Sequence, residues 1–135
     1  MDSKAERLLN GKNLVFLATI MSDGSPQVTP VWGNYVNSYI LINTAEGRLK
    51  HKNILNDDRV AVSVVDHNNP LDMTTIRGKV VEIVPDYEYI HANQLTKQYM
   101  GINEYPFKRP GEKRIIFKIK PEKIFVLPEL QMNHD

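Results

Sequence analysis

The sequence predicts a mainly β protein, a closed antiparallel β-barrel with a few helices, and three observations carry that expectation. Six or so short runs are rich in β-branched and aromatic residues. Gly, Asn, Asp, Ser and Pro clusters separate them as tight turns. Few stretches have helical spacing, which favours a barrel over a parallel sheet crossed by helices. At 135 residues the expectation is one domain over 1–135: an N-terminal helix at 2–10, the barrel at 13–127 and a polar tail at 128–135.

In chain order, Asp2 or Ser3 supplies the side-chain oxygen that caps the first helix, and Gly11 ends it. Residues 14–20, LVFLATI, form a continuous apolar run, the mark of a buried strand. After the SDGS turn, residues 26–35 read as one strand; Pro30 cannot donate to a ladder, so an edge or a bulge is expected there. Residues 39–44 give the third strand. Residues 45–56 hold a basic segment and a short helix, with Asp58 expected to cap or pair near Arg59. Strands follow at 59–65 and 73–84, where Gly78 signals a bulge or the close approach of another backbone. Tyr87, Ile90, Leu95 and Tyr99 share helical spacing over 86–100, and Gly101 stops it. A strand at 114–119 is interrupted by Pro121, with a last short strand at 123–127.

Composition excludes several classes of function. The net charge of +1 provides no global field for nucleic acid or acidic lipid. The absence of cysteine removes disulfides, thiolate metal sites and a cysteine nucleophile. His51, His67, His91 and His134 are scattered without metal-ligand spacing, so no metal is expected. No apolar run reaches the roughly 18–20 residues of a membrane span, and the polar start lacks a signal-peptide core, so a cytoplasmic protein without membrane or nucleic-acid partners is expected. Nucleophile elbows, phosphate-binding glycine loops and dinucleotide fingerprints are absent, and no catalytic side chain is assigned.

What remains is the stretch 39–65. Arg48, Lys50 and Lys52 crowd together after a strand end and Gly47, ahead of a helix start. Guanidinium and ammonium groups bring both charge and hydrogen bonds to a phosphate, and a helix N-terminus adds free amides. If residues 48–50 are extended, Arg48 and Lys50 share a side; if the helix has begun, Arg48 and Lys52 do. On residue types alone the stretch is a phosphate seat or a solvated basic face. The strand at 26–35 is the second candidate, because Pro30 leaves neighbouring backbone groups free to meet a flat polar ring; an ordinary edge strand is the alternative.

These pieces resemble a known family in order along nearly the whole chain. LATI (17–20), DGSPQVTPVW (23–32), NTAEGRLKHKNILNDDRVAVSV (43–64), IRGKVVEI (76–83) and KIFVLP (123–128) are similar to the split-barrel proteins related to pyridoxamine 5′-phosphate oxidase, closest to short members that use FMN or the deazaflavin coenzyme F420. The resemblance implies a Greek-key split barrel of the FMN-binding type and a homodimer with two cofactors in grooves between subunits. It implies that Arg48 and Lys50 grip the cofactor phosphate, helped by Asn43, Thr44 and Lys52. Pro26, Gln27, Val28 and Thr29 would lie along the ring system. The implied activity is that of an oxidoreductase passing hydride to or from a small conjugated substrate; the alternative is a non-catalytic binder of the same coenzymes, for storage or sensing. Met73 stands where relatives often carry an aromatic residue near the cofactor. The C-terminal arginine and histidine pattern for vitamin B6 substrates is missing, so the implied chemistry is related to that oxidation and distinct from it.

Overall fold

A computed structural model describes residues 1–127; the expected polar tail at 128–135, with His134, lies outside the described residues. The chain runs α1 (Ser3–Asn10), β1 (Val15–Ile20), β2 (Pro26–Val31), β3 (Gly33–Val36), β4 (Tyr39–Ala45), α2 (Leu49–Asn56), β5 (Arg59–Val65), β6 (Met73–Pro85), α3 (Ile90–Met100) and β7 (Arg114–Val126). The strands form one antiparallel sheet in the order β2-β1-β5-β6-β7-β4-β3. It curls around a core led by Phe117, Leu17, Ile40, Ile42, Ile76 and Ile119, with Leu8 and Leu9 of α1 packed in. The architecture is the Greek-key split barrel expected of a mainly β chain.

The sheet's two edges are consecutive in sequence. The run expected as one strand over 26–35 divides at Trp32: β2 pairs with β1, and β3 pairs with β4 on the opposite edge. One residue therefore carries the chain from one edge to the other and closes the curl covalently. The Asn43 amide donates to the Trp32 carbonyl at 3.5 Å, drawing β4 to the junction. Gly33 suits the crowded junction: a Cβ would fall 2.6 Å from Ile42 Cδ1, a side-chain end that can shift, and a tight 3.1 Å from the Leu41 carbonyl oxygen. Pro30 does sit on an edge strand, where its missing donor is harmless.

The 114–119 strand does not stop at Pro121 but continues to Val126. Pro121 lies opposite Gly78 at a register irregularity, so no ladder donor is needed there. At Gly78 the neighbouring backbone comes so close that a Cβ would lie 2.1 Å from the Lys120 carbonyl oxygen.

The late helix begins at Ile90 rather than Asp86. Tyr89 is its N-cap residue, in the left-handed conformation, and the Asp86 carboxylate upstream accepts from the first-turn amides of His91 at 3.0 Å and Ala92 at 2.9 Å. Asp57, not Asp58, pairs with Arg59, at 2.7 Å. That pairing holds the Asp57 carboxyl at about 2, chiefly through the Arg59 side-chain hydrogen bond. No helix among the described residues is long and apolar enough to cross a membrane.

Candidate functional site

The site is built where the closure of the sheet meets the start of α2. Beyond β4, Gly47 turns the chain in the left-handed conformation (φ 87°), and its amide donates to His51 Nδ1 at 2.9 Å. Arg48 follows as an extended N-cap, so it stands outside the helical spiral while Lys50 is already within it. This geometry brings Arg48 and Lys50 to the same cavity and leaves Lys52 exposed and outside its lining, although the helix has begun. The i, i+4 rule fails because one partner is not helical.

A cavity of about 210 Å³ opens at this point. Arg48, Lys50 and Arg114 line its charged end, with Asn43 and Thr44 of β4 beside them. Pro30, Val31 and Trp32 from the strand junction form one apolar side, and Tyr105 and Phe107 from the loop after α3 form another. Trp32 stacks flat on Tyr99, with centroids 5.0 Å apart and planes 3° apart. Tyr99 is itself pinned: its hydroxyl donates to the Asn13 carbonyl at 2.7 Å and accepts from the Gly33 amide at 3.2 Å. The aromatic side is thus fixed to the closure of the barrel.

Lys50 is the unusual member. It is only 8% exposed, and among the described residues no carboxylate lies within ion-pair distance of it. Desolvation lowers its pKa from the ordinary lysine value, and the charges of Arg48 and Arg114 lower it further. By contrast, Glu112 holds Arg114 at 3.3 Å and approaches Arg48 at 3.7 Å. The amides of Leu49 and Lys50, at the open end of α2, have no hydrogen-bond partner among the described residues.

Asn43 lies at the cavity wall, but its side chain is occupied. Its Nδ2 donates to Asp86 Oδ2 at 2.9 Å and to His91 Nδ1 at 3.0 Å, while its Oδ1 accepts from Arg114 Nε at 2.9 Å. His91 completes the chain by donating Nε2–H to Asn34 Oδ1 at 2.9 Å. Burial keeps His91 neutral and pulls its pKa down to about 4, against the opposing influence of Asp86 and with help from Arg114.

Within the strand expected to run along a ring system, residues 26–29 lie next to the cavity without lining it. Gln27 and Thr29 point inward: Gln27 Oε1 accepts from Thr19 at 3.2 Å, and the Thr29 hydroxyl is buried with no partner among the described residues. Pro26 and Val28 face outward, and it is the following residues, Pro30 to Trp32, that reach the cavity. Arg114, Tyr105 and Phe107 carried no site signal in the sequence. A lone arginine at a strand start and two aromatics in a loop are common features, and only the fold brings them to Lys50. Among the described residues no group of three potential His, Asp or Glu metal ligands comes together.

The profile of the family described as pyridoxamine 5′-phosphate oxidase matches residues 1–127. Among solved structures, one titled F420 Reductase is 30% identical with a TM-score of 0.82, the alignment covering 93% of this chain and 98% of that one. General Stress Protein 26 from Bacillus anthracis is 21% identical (TM-score 0.66, 93% of each chain), and HupZ from Group A Streptococcus is 20% identical (TM-score 0.64, 94% of each chain). These last two likenesses speak to the fold alone. No curated protein matches the sequence. A profile match over almost the whole chain, on a split barrel that places its basic segment at the mouth of a cavity, shows that this protein belongs to the pyridoxamine 5′-phosphate oxidase family.

Proposed function

We propose that the protein is an oxidoreductase that binds FMN or coenzyme F420 by its phosphate and transfers hydride to or from a small conjugated substrate. The observation that carries this reading is Lys50: a buried cation with no carboxylate partner among the described residues, lining a cavity beside Arg48 and Arg114. A buried charge is costly unless paired, and an anionic ligand is the partner that this arrangement lacks. Arg48, Lys50 and the free amides at the start of α2 would hold the phosphate, with Thr44 beside them; Lys52 lies outside the cluster and would act only as distant positive charge. The likeness to a structure titled F420 Reductase supports a deazaflavin, and the family supports a flavin.

Two features support a groove shared by two copies. The cavity of about 210 Å³ is smaller than the roughly 300–1,000 Å³ typical of pockets for drug-sized ligands, so a second surface is needed to cover a ring system. In addition, the outer face of β1 and β2 is apolar where a solvated face would be polar. Phe16 sits opposite Pro30, Ala18 opposite Val28 and Ile20 opposite Pro26. An outward patch of this kind marks an interaction surface, and a homodimer would bury it while bringing Pro26 and Val28 to the ring of a cofactor.

Bound there, a flavin or deazaflavin would supply the hydride chemistry. The chain's own residues bind it, orient it against the Trp32 side and limit water. Among the described residues no histidine lines the cavity, and His91 has both ring nitrogens engaged. The same observation favours the second reading, a coenzyme binder for storage or sensing. Titration of the purified protein with FMN and F420 tests both: binding with turnover of the reduced coenzyme supports the enzyme, and binding without turnover against a panel of acceptors supports the carrier. A colourless protein indifferent to both coenzymes sinks the two together. Sedimentation analysis showing a monomer when coenzyme is bound would remove the shared groove.

A further inference from the structure

We infer that Arg114 is a third anion-holding residue of the cavity, and that the buried chain Asn34–His91–Asn43 is the positioning device that sets its guanidinium. This rests on the reading of the cavity as a phosphate seat. Arginine has five N–H donors. In Arg114, Nε is given to Asn43 Oδ1 at 2.9 Å and Nη1 to Glu112 Oε1 at 3.3 Å, leaving three uncommitted among the described residues. The guanidinium lies over Tyr105, 5.0 Å from the ring centroid, so its plane is fixed as well as its edge. The residue is buried and lines the cavity beside Lys50.

The device behind it has a defined polarity. Asn34 Oδ1 can only accept, so His91 must donate from Nε2 and accept at Nδ1. That acceptor and Asp86 both take the Asn43 amide protons, which forces the Asn43 carbonyl oxygen toward Arg114. Turning the Asn43 amide over would set its NH₂ against the guanidinium. The orientation of Arg114 is therefore written in a buried path from β3 through α3 to β4, none of which requires contact with the ligand. Glu112, between Arg114 and Arg48, keeps the two guanidinium groups together without neutralising Lys50.

The test compares phosphate-bearing and phosphate-free probes, FMN against riboflavin and F420 against its deazaflavin nucleoside, by equilibrium titration. Wild type is expected to prefer the phosphate-bearing form. Arg114→Gln should lose roughly 10- to 100-fold of that preference, as for a charged hydrogen bond, read as the ratio of FMN to riboflavin affinity. His91→Leu should lose part of the preference, and His91→Asn, whose side-chain oxygen can replace the acceptor facing Asn43, should recover it. A melting curve accompanies each variant. If His91→Leu lowers the melting temperature but keeps the full phosphate preference, the chain is structural and the positioning role fails. If His91→Leu does not fold, Arg114→Gln alone decides, and an unchanged preference there overturns the inference. Wild type showing no phosphate preference would overturn the phosphate seat itself, a pattern distinguishable from a wild-type preference that the variants leave intact.

Discussion

Replacing Lys50 by methionine should make the protein more stable and its coenzyme site worse. Lys50 is only 8% exposed and faces Arg48 and Arg114, with no carboxylate partner among the described residues. Desolvation and like charge both oppose its ammonium in the empty protein, and both vanish in a methionine of similar length. Single stabilising substitutions commonly yield about 0.5–2 kcal/mol, with function as the recurrent cost. The cavity opens to solvent, which screens the charge, so about 1 kcal/mol is the reasonable expectation. Affinity moves the other way: losing one charged hydrogen bond to a phosphate costs about 2 kcal/mol, or about 30-fold in Kd. The two effects cross on titration. FMN or F420 at 100 times the wild-type Kd stabilises wild type by about 2.7 kcal/mol. At the same concentration the variant gains only about 0.9 kcal/mol. Lys50→Met should therefore lead by about 1 kcal/mol without coenzyme and trail wild type by about the same amount with it. Urea unfolding at pH 7 and low salt, with and without coenzyme, measures both gaps. A variant less stable than wild type in the absence of coenzyme refutes the argument that Lys50 is held against its own desolvation. One that keeps wild-type affinity refutes the phosphate contact.

Three further expectations follow from the geometry. Arg48→Ala combined with Lys50→Ala should weaken coenzyme binding by roughly 2–4 kcal/mol, as for truncation of desolvated charge pairs; unchanged affinity in titration would place the phosphate elsewhere. Gly78→Ala should destabilise by about 3 kcal/mol or more, because its Cβ would enter the Lys120 carbonyl oxygen at 2.1 Å, a backbone atom that cannot rotate away; a wild-type melting temperature would contradict the close approach of β6 and β7. Stability should fall on acidification through the His91 window. His91 binds its proton near 6.5 when unfolded and at about 4 when folded, so the unfolded state takes up the proton first and stability drops as the pH falls from about 6.5 to about 4. The loss is about 3 kcal/mol at about 1.4 kcal/mol per pH unit, and in urea unfolding measured across this range His91→Asn should lack the slope assigned to the imidazole.

Much of the fold was legible because local patterns agree with it. The apolar runs became strands, Asp2 caps α1 through the Lys4 and Ala5 amides, and Gly101 ends α3 in the left-handed conformation. The failures share one cause. Nothing between residues 26 and 35 announces that the chain leaves one sheet edge at Trp32 and joins the other, because each half is a good strand on its own. Pro121 looked like a stop because sequence does not show that it would face Gly78 across a bulge. Asp86 looked like the start of a helix because its side chain caps amides several residues on.

The same division governs the site. Arg48 and Lys50 could be found by reading, since charge, glycine and helix start are local properties written within a few residues. Their partnership could not, because it depends on Arg48 being an extended cap, a backbone state set by the turn at Gly47. Nor could Arg114, 64 residues beyond Lys50, or the aromatic pair Tyr105 and Phe107 be assigned to the cavity before β7 was paired with β4. Sequence decides which side chains carry charge and which runs must be buried. Which charges meet is decided by strand order and register, and these depend on long-range packing that a local pattern does not contain.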